Sequence, residues 1–383
     1  MNSLQLYLSS RRLAKKLSPL LTKQLIDEKD IQPSSANKEI LHGRMKVTLV
    51  NLNAVCYQKL SQFVDEMDKA VADAVEQGSQ MVCFPQYTGM LPLTIFSQYD
   101  QLEEEAENAL LTGDAKTLAQ LGEQYCKHLS STVFDCYYNT FALLAMKYKV
   151  YIQAGTILVK TSRGLVNRGF LFNPEGESIL QQDKLYPNKG ELALGVQAGG
   201  ELKTVETPFG SLAIVIGEDS RYFEVYKLAQ SRGCKIVLAP GGGEHYPSIK
   251  YYRAAALMRA QESSLYVVQP ILFYNLFPTK GQGVGAFYCP YPISDSRDGV
   301  ISYLTEAGSL TTRLNTHHLT RLVDDYTGDK NSIVYRLLAQ EYEQHFGLVT
   351  TVPLKKEADA AFLAEEEPEP QEDIVKKALE LEL

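Results

Sequence analysis

The chain lacks the residue patterns that would mark a metal, membrane or nucleic-acid protein. Its six cysteines (Cys56, Cys83, Cys126, Cys136, Cys234 and Cys289) form no CxxC pair, and no histidine lies at ligand spacing from them. That excludes a zinc ribbon or finger, and no metal is expected. Most of them sit in apolar surroundings such as Met81-Val-Cys-Phe84 and read as small buried hydrophobes. The first twelve residues contain no apolar core of signal-peptide length. No apolar run approaches the roughly 20 residues of a membrane span, so a reducing cytoplasm is the expected location. Positive charge is also lacking: the formal net charge is −8, which argues against a nucleic-acid partner. From Lys355 onward ten acidic residues face four lysines, so most of that charge belongs to the C-terminal end and the body is close to neutral. The glycines of Gly281-Gln-Gly-Val-Gly285 lack the spacing and following helix of a nucleotide loop, and no cofactor is expected.

What is present is an ordered alternation of strand and helix patterns between two atypical ends. Residues 1–44 read as a helical arm, with Leu4, Leu8, Leu13, Leu17, Leu20, Leu21 and Leu25 at near-helical spacing and Arg11, Arg12, Lys15 and Lys16 between them. A basic amphipathic helix can lie on a membrane surface. It can equally pack on its own domain or a partner, and Asp27, Glu28 and Asp30 dilute its basic face in favour of packing.

Strands are expected at 46–51, 80–84, 150–159, 169–173, 212–216, 235–239 and 265–268. Between them fall helices at about 60–77, 102–129 (a polar helical stretch), up to 148, a segment ending at Gly233, and 250–262. Gly78 is a stop signal, and Asn173-Pro-Glu-Gly176 a hairpin turn. This predicts an α/β domain over 45–325. A helix over 333–346 and a strand over 350–354 form an extension within 326–354. The acidic tail, 355–383, cannot bury enough apolar area to fold on its own, although 374–383 could form a short helix.

The chemistry concentrates at Val215-Ile-Gly-Glu-Asp-Ser-Arg-Tyr-Phe-Glu224. Buried β-branched residues run into a short turn and then an amphipathic segment, a strand-to-helix elbow of the kind that presents a nucleophile. The residue at the elbow is Gly217, which cannot attack anything. Three further segments stand in order around it: Phe84-Pro-Gln-Tyr-Thr88, Asp183-Lys-Leu-Tyr-Pro187 with Glu191 following, and Leu257-Met-Arg-Ala-Gln-Glu-Ser263.

Together these four segments resemble the nitrilase, or carbon–nitrogen hydrolase, superfamily over most of residues 45 to 325. The resemblance implies an α-β-β-α sandwich and a homodimer or larger homo-oligomer paired through helices near the elbow. It also implies a Glu–Lys–Cys triad that hydrolyses non-peptide amides or nitriles. In that triad the thiolate attacks carbon, the glutamate acts as general base, and the lysine stabilises the oxyanion.

Carried onto this chain, the lysine is Lys184, and the second acid that holds it is Glu191. The base position is Gln86, whose amide cannot accept a proton near neutral pH, and the cysteine position is Gly217. Asp219, Arg221 and Glu224 fall where the family braces its elbow, and Glu218 replaces a bulky neutral residue beside the nucleophile. Tyr87, Glu218, Asp219 and His245 are candidate pocket residues, His245 because it lies on the loop Gly241-Gly-Gly-Glu-His245 at a strand end. Three functions are compatible with these residues. One is a non-catalytic protein keeping a pocket for a small carbonyl or carboxylate ligand facing Lys184. Another is a hydrolase of amide, nitrile or carbamoyl bonds by a non-cysteine route. The third is a structural subunit that recruits partners through its ends.

Overall fold

The structure, a computed structural model, describes residues 3–29, 42–242, 248–274 and 283–326, with single positions 337, 340 and 341. The first half of the chain supplies helices α1 (Ser3–Lys16), α2 (Pro19–Asp27), α3 (Leu60–Glu76), α4 (Tyr99–Thr112), α5 (Ala115–His128) and α6 (Ser130–Tyr148). Its strands are β1 (Arg44–Asn53), β2 (Met81–Cys83), β3 (Tyr151–Thr161), β4 (Gly164–Phe172) and β5 (Ser178–Asp183). The short α7 (Lys189–Ala193) then leads to β6 (Thr204–Thr207), β7 (Gly210–Ile214), α8 (Phe223–Ser231), β8 (Ile236–Leu238) and β9 (Gly241–Gly242). The remaining elements are α9 (Ser248–Ser263), β10 (Tyr266–Gln269), β11 (Ile271–Phe273), β12 (Gly285–Tyr288), β13 (Val300–Leu304), β14 (Gly308–Asn315) and α10 (His317–Tyr326).

Among the described residues the strands form two sheets, ordered β5-β4-β3-β2-β1-β11-β9 with β14 also on β1, and β13-β12-β10-β8-β7-β6. The period-two side-chain alternation of strands sorts their residues into separate cores. On β7 and the residues after it, Leu212, Ile214 and Ile216 face the first sheet together with Val47, Leu49, Met81 and Leu171. The intervening Ala213 and Val215 face α8 and α9 with Val237, Val267 and Ala260. The opposite face of the first sheet is covered by α3 and α6, through Phe63, Val71, Phe141 and Leu144. Both sheets are thus sandwiched between helices, as the α-β-β-α expectation requires.

Leu6, Leu13, Leu17 and Ile26 of the arm are buried in that same first core, so α1 and α2 pack on the domain. The polar stretch expected as one helix over 102–129 is instead two. Gly113 stops α4 in the left-handed region at φ 70°, and the Asp114 side chain accepts the first N–H groups of α5, from Lys116 and Thr117. The 333–346 helix, the 350–354 strand and the 355–383 tail lie outside the described residues apart from the three single helical positions. No described helix is long and apolar enough to cross a membrane.

Candidate active site

Three strand ends deliver the side chains. The chain leaves β2 through Phe84 and Pro85 to Gln86, leaves β5 directly into Lys184, and leaves β7 through Val215 and Ile216 to Gly217. Gln86 and Gly217 hang from one peptide segment: the Gly217 N–H donates to the Pro240 carbonyl (3.0 Å) and the Gln86 N–H to the Gly241 carbonyl (3.2 Å). Gly217 takes φ +53°, the left-handed backbone of a nucleophile elbow, which a glycine adopts without strain. The elbow geometry is therefore kept although its side chain is gone. A Cβ added at Gly217 would stand 2.4 Å from Gln86 Oε1, so the glutamine amide fills the space a nucleophile's side chain would enter.

Lys184 is fully buried. Its ammonium donates to Glu191 Oε2 (2.6 Å) and also to Glu218 Oε2. Burial alone would push the ammonium pKa down, but the Glu218 and Glu191 carboxylates outweigh it and hold Lys184 above its ordinary value. Glu191 accepts four donors: Lys184, the Tyr87 hydroxyl, Asn167 Nδ2 (2.8 Å) and the Asn188 N–H (2.7 Å). With its lone pairs committed it anchors its neighbours and is not placed to take a proton from substrate.

Glu218 is the one acid of the cluster that keeps part of its side chain exposed, 18%. Asn188 Nδ2 also donates to it (3.1 Å). Burial pushes its carboxyl up, but Lys184 and Asn188 more than offset that and leave it below the usual carboxylate range. It is therefore a poor base, and its carboxylate takes one of the Lys184 ammonium's donors.

Asp219 has a different task. It accepts the N–H groups of Leu185 (3.0 Å) and Tyr186 (2.7 Å), tying the lysine strand end to the elbow. Tyr87 holds a left-handed backbone at φ +63°, donates its N–H to Thr156 Oγ1 (3.0 Å), and aims its hydroxyl at Glu191. The two asparagines were missed from the sequence. Asn188 had a readable signal, since Asn188-x-x-Glu191 is a capping box at the start of α7; Asn167, on the adjacent β4, had none. His245 lies outside the described residues. Among the described residues no cluster of His, Cys, Asp and Glu is arranged to hold a metal ion.

Burial pushes the Asp219 pKa up to about 7, partly opposed by its backbone donors and Lys184. A carboxyl whose folded pKa is raised contributes stability that is full below the unfolded value and is lost as pH rises through the folded one. The folded protein should therefore be less stable at pH 8 than at pH 5 by on the order of 2–3 kcal/mol from this group. The depressed Glu218 acts below its ordinary value of 4.5, outside this window. Thermal melts at both pH values check the expectation, and the gap should narrow in Asp219→Asn.

The carbon-nitrogen hydrolase family model matches residues 46–282. The chain belongs to the carbon-nitrogen hydrolase family. Over 170 residues it is 28% identical to the probable hydrolase YhcX of Bacillus subtilis, covering 43% of this chain and 33% of that protein. It is 22% identical over 132 residues to the omega-amidase of Mus musculus, covering 32% of this chain and 48% of the relative. The chain thus spans a third to about half the length of these curated relatives. Its fold is similar to that of a nitrilase-superfamily amidase from Nesterenkonia, with TM-score 0.56, 17% identity, and 77% of this chain and 97% of that one covered. It also resembles the NitFhit protein of C. elegans, with TM-score 0.57, 16% identity, and 76% and 66% covered. In this member of the carbon-nitrogen hydrolase family, the described site contains an elbow, a lysine and an acid holding that lysine, with glutamine and glycine at the two positions where the motifs place base and nucleophile.

Proposed function

We propose that this carbon-nitrogen hydrolase family member is catalytically degenerate, and that it works as a binding or scaffolding protein built on a hydrolase site. The observation that carries the reading is the contact between Gln86 and Gly217. At the motif positions of base and nucleophile stand an amide and a hydrogen, and the amide oxygen fills the place of the missing side chain. Neither group can form or break a covalent bond to carbon at neutral pH.

The ion cluster refines the ligand class. One lysine faces two carboxylates, so the centre repels an anion, and a small neutral amide or other carbonyl compound suits it better than a carboxylate. Its carbonyl oxygen would have to displace Glu218 from Lys184. A Nesterenkonia amidase variant with one Glu changed to Gln and one Cys to Ala is described in complex with acrylamide (17% identity, TM-score 0.56, 81% of this chain and 100% of that one covered). That complex, in a protein with a similar pair of replacements, is the basis for proposing a neutral amide as the ligand of this site. Homo-oligomer formation belongs to the same reading. Tyr222, Leu228 and Met258 leave 38–42% of their surface exposed on or beside α8 and α9, where the family resemblance places the subunit contact. Sedimentation of the full chain checks it, and a monomer at all concentrations would remove that part of the reading.

The decisive assay compares an amide and nitrile panel on the natural chain, on Gln86→Glu with Gly217→Cys, and on the same pair with Glu218→Gln. We expect no turnover by the natural chain and measurable turnover only where thiol, base and a freed lysine are restored together. Turnover by the natural chain that Lys184→Ala abolishes, with the fold retained by circular dichroism, would overturn the proposal.

A further inference from the structure

Two helices of opposite charge lie side by side on the surface, away from Lys184. α1 carries Arg11, Arg12, Lys15 and Lys16 and no acid. α4 carries Asp100, Glu103, Glu104, Glu105 and Glu107 and neither Lys nor Arg. Two contacts set their relative direction. Lys16, at the end of α1, donates to the Ile95 carbonyl just before α4 (3.5 Å), and Leu6, near the start of α1, walls one cleft with Leu102 and Ala106 of α4. The helices therefore run in opposite directions. Their apolar sides are already used: Leu6, Leu13 and Leu17 of α1 and Ala109 of α4 are buried in the domain. The outer sides are charged. Arg11 and Lys15 follow Tyr7, and Arg12 and Lys16 follow Leu8, at steps of four, while Asp100, Glu104 and Glu107 share one face of α4. Arg11, Arg12, Lys15, Lys16, Asp100 and Glu104 are exposed. Among the described residues no salt bridge joins the two helices.

We infer that α1 and α4 form a self-complementary face through which two copies of the chain pair, α1 of each lying on α4 of the other. A two-fold axis running between the helices and parallel to them brings this about, since it exchanges one helix for the other. The cations of residues 11–16 then meet the carboxylates of the partner's α4 twice, once on each side of the axis. An axis crossing the helices would set α1 on α1, cation on cation, and like charges across an interface oppose it. Apolar area is available on the same helices, where Tyr7, Leu8, Leu110 and Leu111 leave 46–65% of their surface exposed. A second copy fits better than an anionic membrane. The apolar stripe of α1 is spent on its own domain and cannot insert, and the carboxylates of α4 beside it repel anionic lipid. This contact is separate from the one proposed at α8 and α9, and it stands whatever the Lys184 centre does.

Charge reversal of the full chain tests it by sedimentation. Arg11→Glu with Arg12→Glu makes both helices acidic, and Glu104→Lys with Glu107→Lys makes both basic. Each variant alone should weaken association at least tenfold and at least halve the sedimenting mass, with circular dichroism unchanged. Mixed one to one, the two variants are complementary on both sides of the axis and should sediment like the natural chain. Raising NaCl from 50 to 500 mM should weaken association of the natural chain as well. A mass left unchanged by both reversals would overturn the inference, as would a mixture that fails to reassociate. So would an assembly that Met258→Glu, at the α8–α9 contact, dissolves completely. Phosphatidylserine–phosphatidylcholine vesicles that pellet the natural chain, but not Arg11→Glu with Arg12→Glu, would place a membrane on α1 instead and overturn it too.

Discussion

Lys184→Met should destabilise the protein by roughly 3–5 kcal/mol, the cost of breaking a buried ion pair from one side. The lysine is fully buried and donates to two carboxylates, one of them on Glu191, itself only 3% exposed. Methionine fills similar volume, so the loss is electrostatic and not a cavity effect. It leaves Glu191 with three donors but no positive charge, and Glu218 beside it with like charge. Without Lys184 nothing of that strength would hold the Glu218 carboxyl below its ordinary value. Its higher folded pKa would make the variant's deficit smaller at pH 5 than at pH 8. Urea unfolding at the two pH values measures this. Adding Glu218→Gln should recover part of the loss, because Glu218 is the partly exposed partner whose charge the cluster can most easily give up. A pH-independent loss under 1 kcal/mol would mean that Lys184 is not the charge that holds the site together.

Much of this centre was legible in the chain because each component carries a local signal. The buried run into Gly217 reads as an elbow, and the spacing of Lys184 and Glu191 survives on a strand end and a helix start. The fold was legible for the same reason: the apolar alternation of β7, β8 and β10 shows in the residues themselves, as do the glycine stops after α3 and α8.

Pairings between distant residues were not legible. Lys184 read as held by Glu191, but nothing in residues 183–191 says that Glu218, 34 positions away, will turn back onto it as well. Asn167 was invisible as a ligand of Glu191 because an asparagine inside a strand carries no positional signal. The break between α4 and α5 was different, since Thr-Gly-Asp114 contains both a stop and a cap, and the helical periodicity on either side masked them. Strands β13 and β14 were also passed over. β14 carries only two leucines among half-exposed Ser and Thr and an exposed Arg, and its place is fixed by eight paired positions along β1 and not by its own hydrophobicity.

Gly155→Ala should be nearly as damaging as loss of the lysine, at roughly 2–5 kcal/mol, and by a different cause. Gly155 sits on β3 where its register with β4 shifts, with φ +71°. A Cβ there would stand 2.1 Å from the Pro85 carbonyl oxygen and 2.8 Å from Thr88 Oγ1. The first of these is backbone and cannot rotate away. Thr88 Oγ1 donates to that same carbonyl (2.8 Å), and Thr156, the next residue on β3, accepts the Tyr87 N–H. Pushing Pro85 outward therefore drags Gln86 off the elbow and Tyr87 off Glu191. Gly113→Ala separates the two causes. Gly113 has nearly the same φ, +70°, with nothing within 4 Å of an added Cβ, so it should lose only the left-handed backbone term of about 1–2 kcal/mol. The excess of Gly155→Ala over Gly113→Ala in urea midpoints measures how tightly the Pro85–Thr88 turn is pressed against the sheet. Equal losses would show that the turn yields, and that Gln86 is held against Gly217 by its own contacts alone.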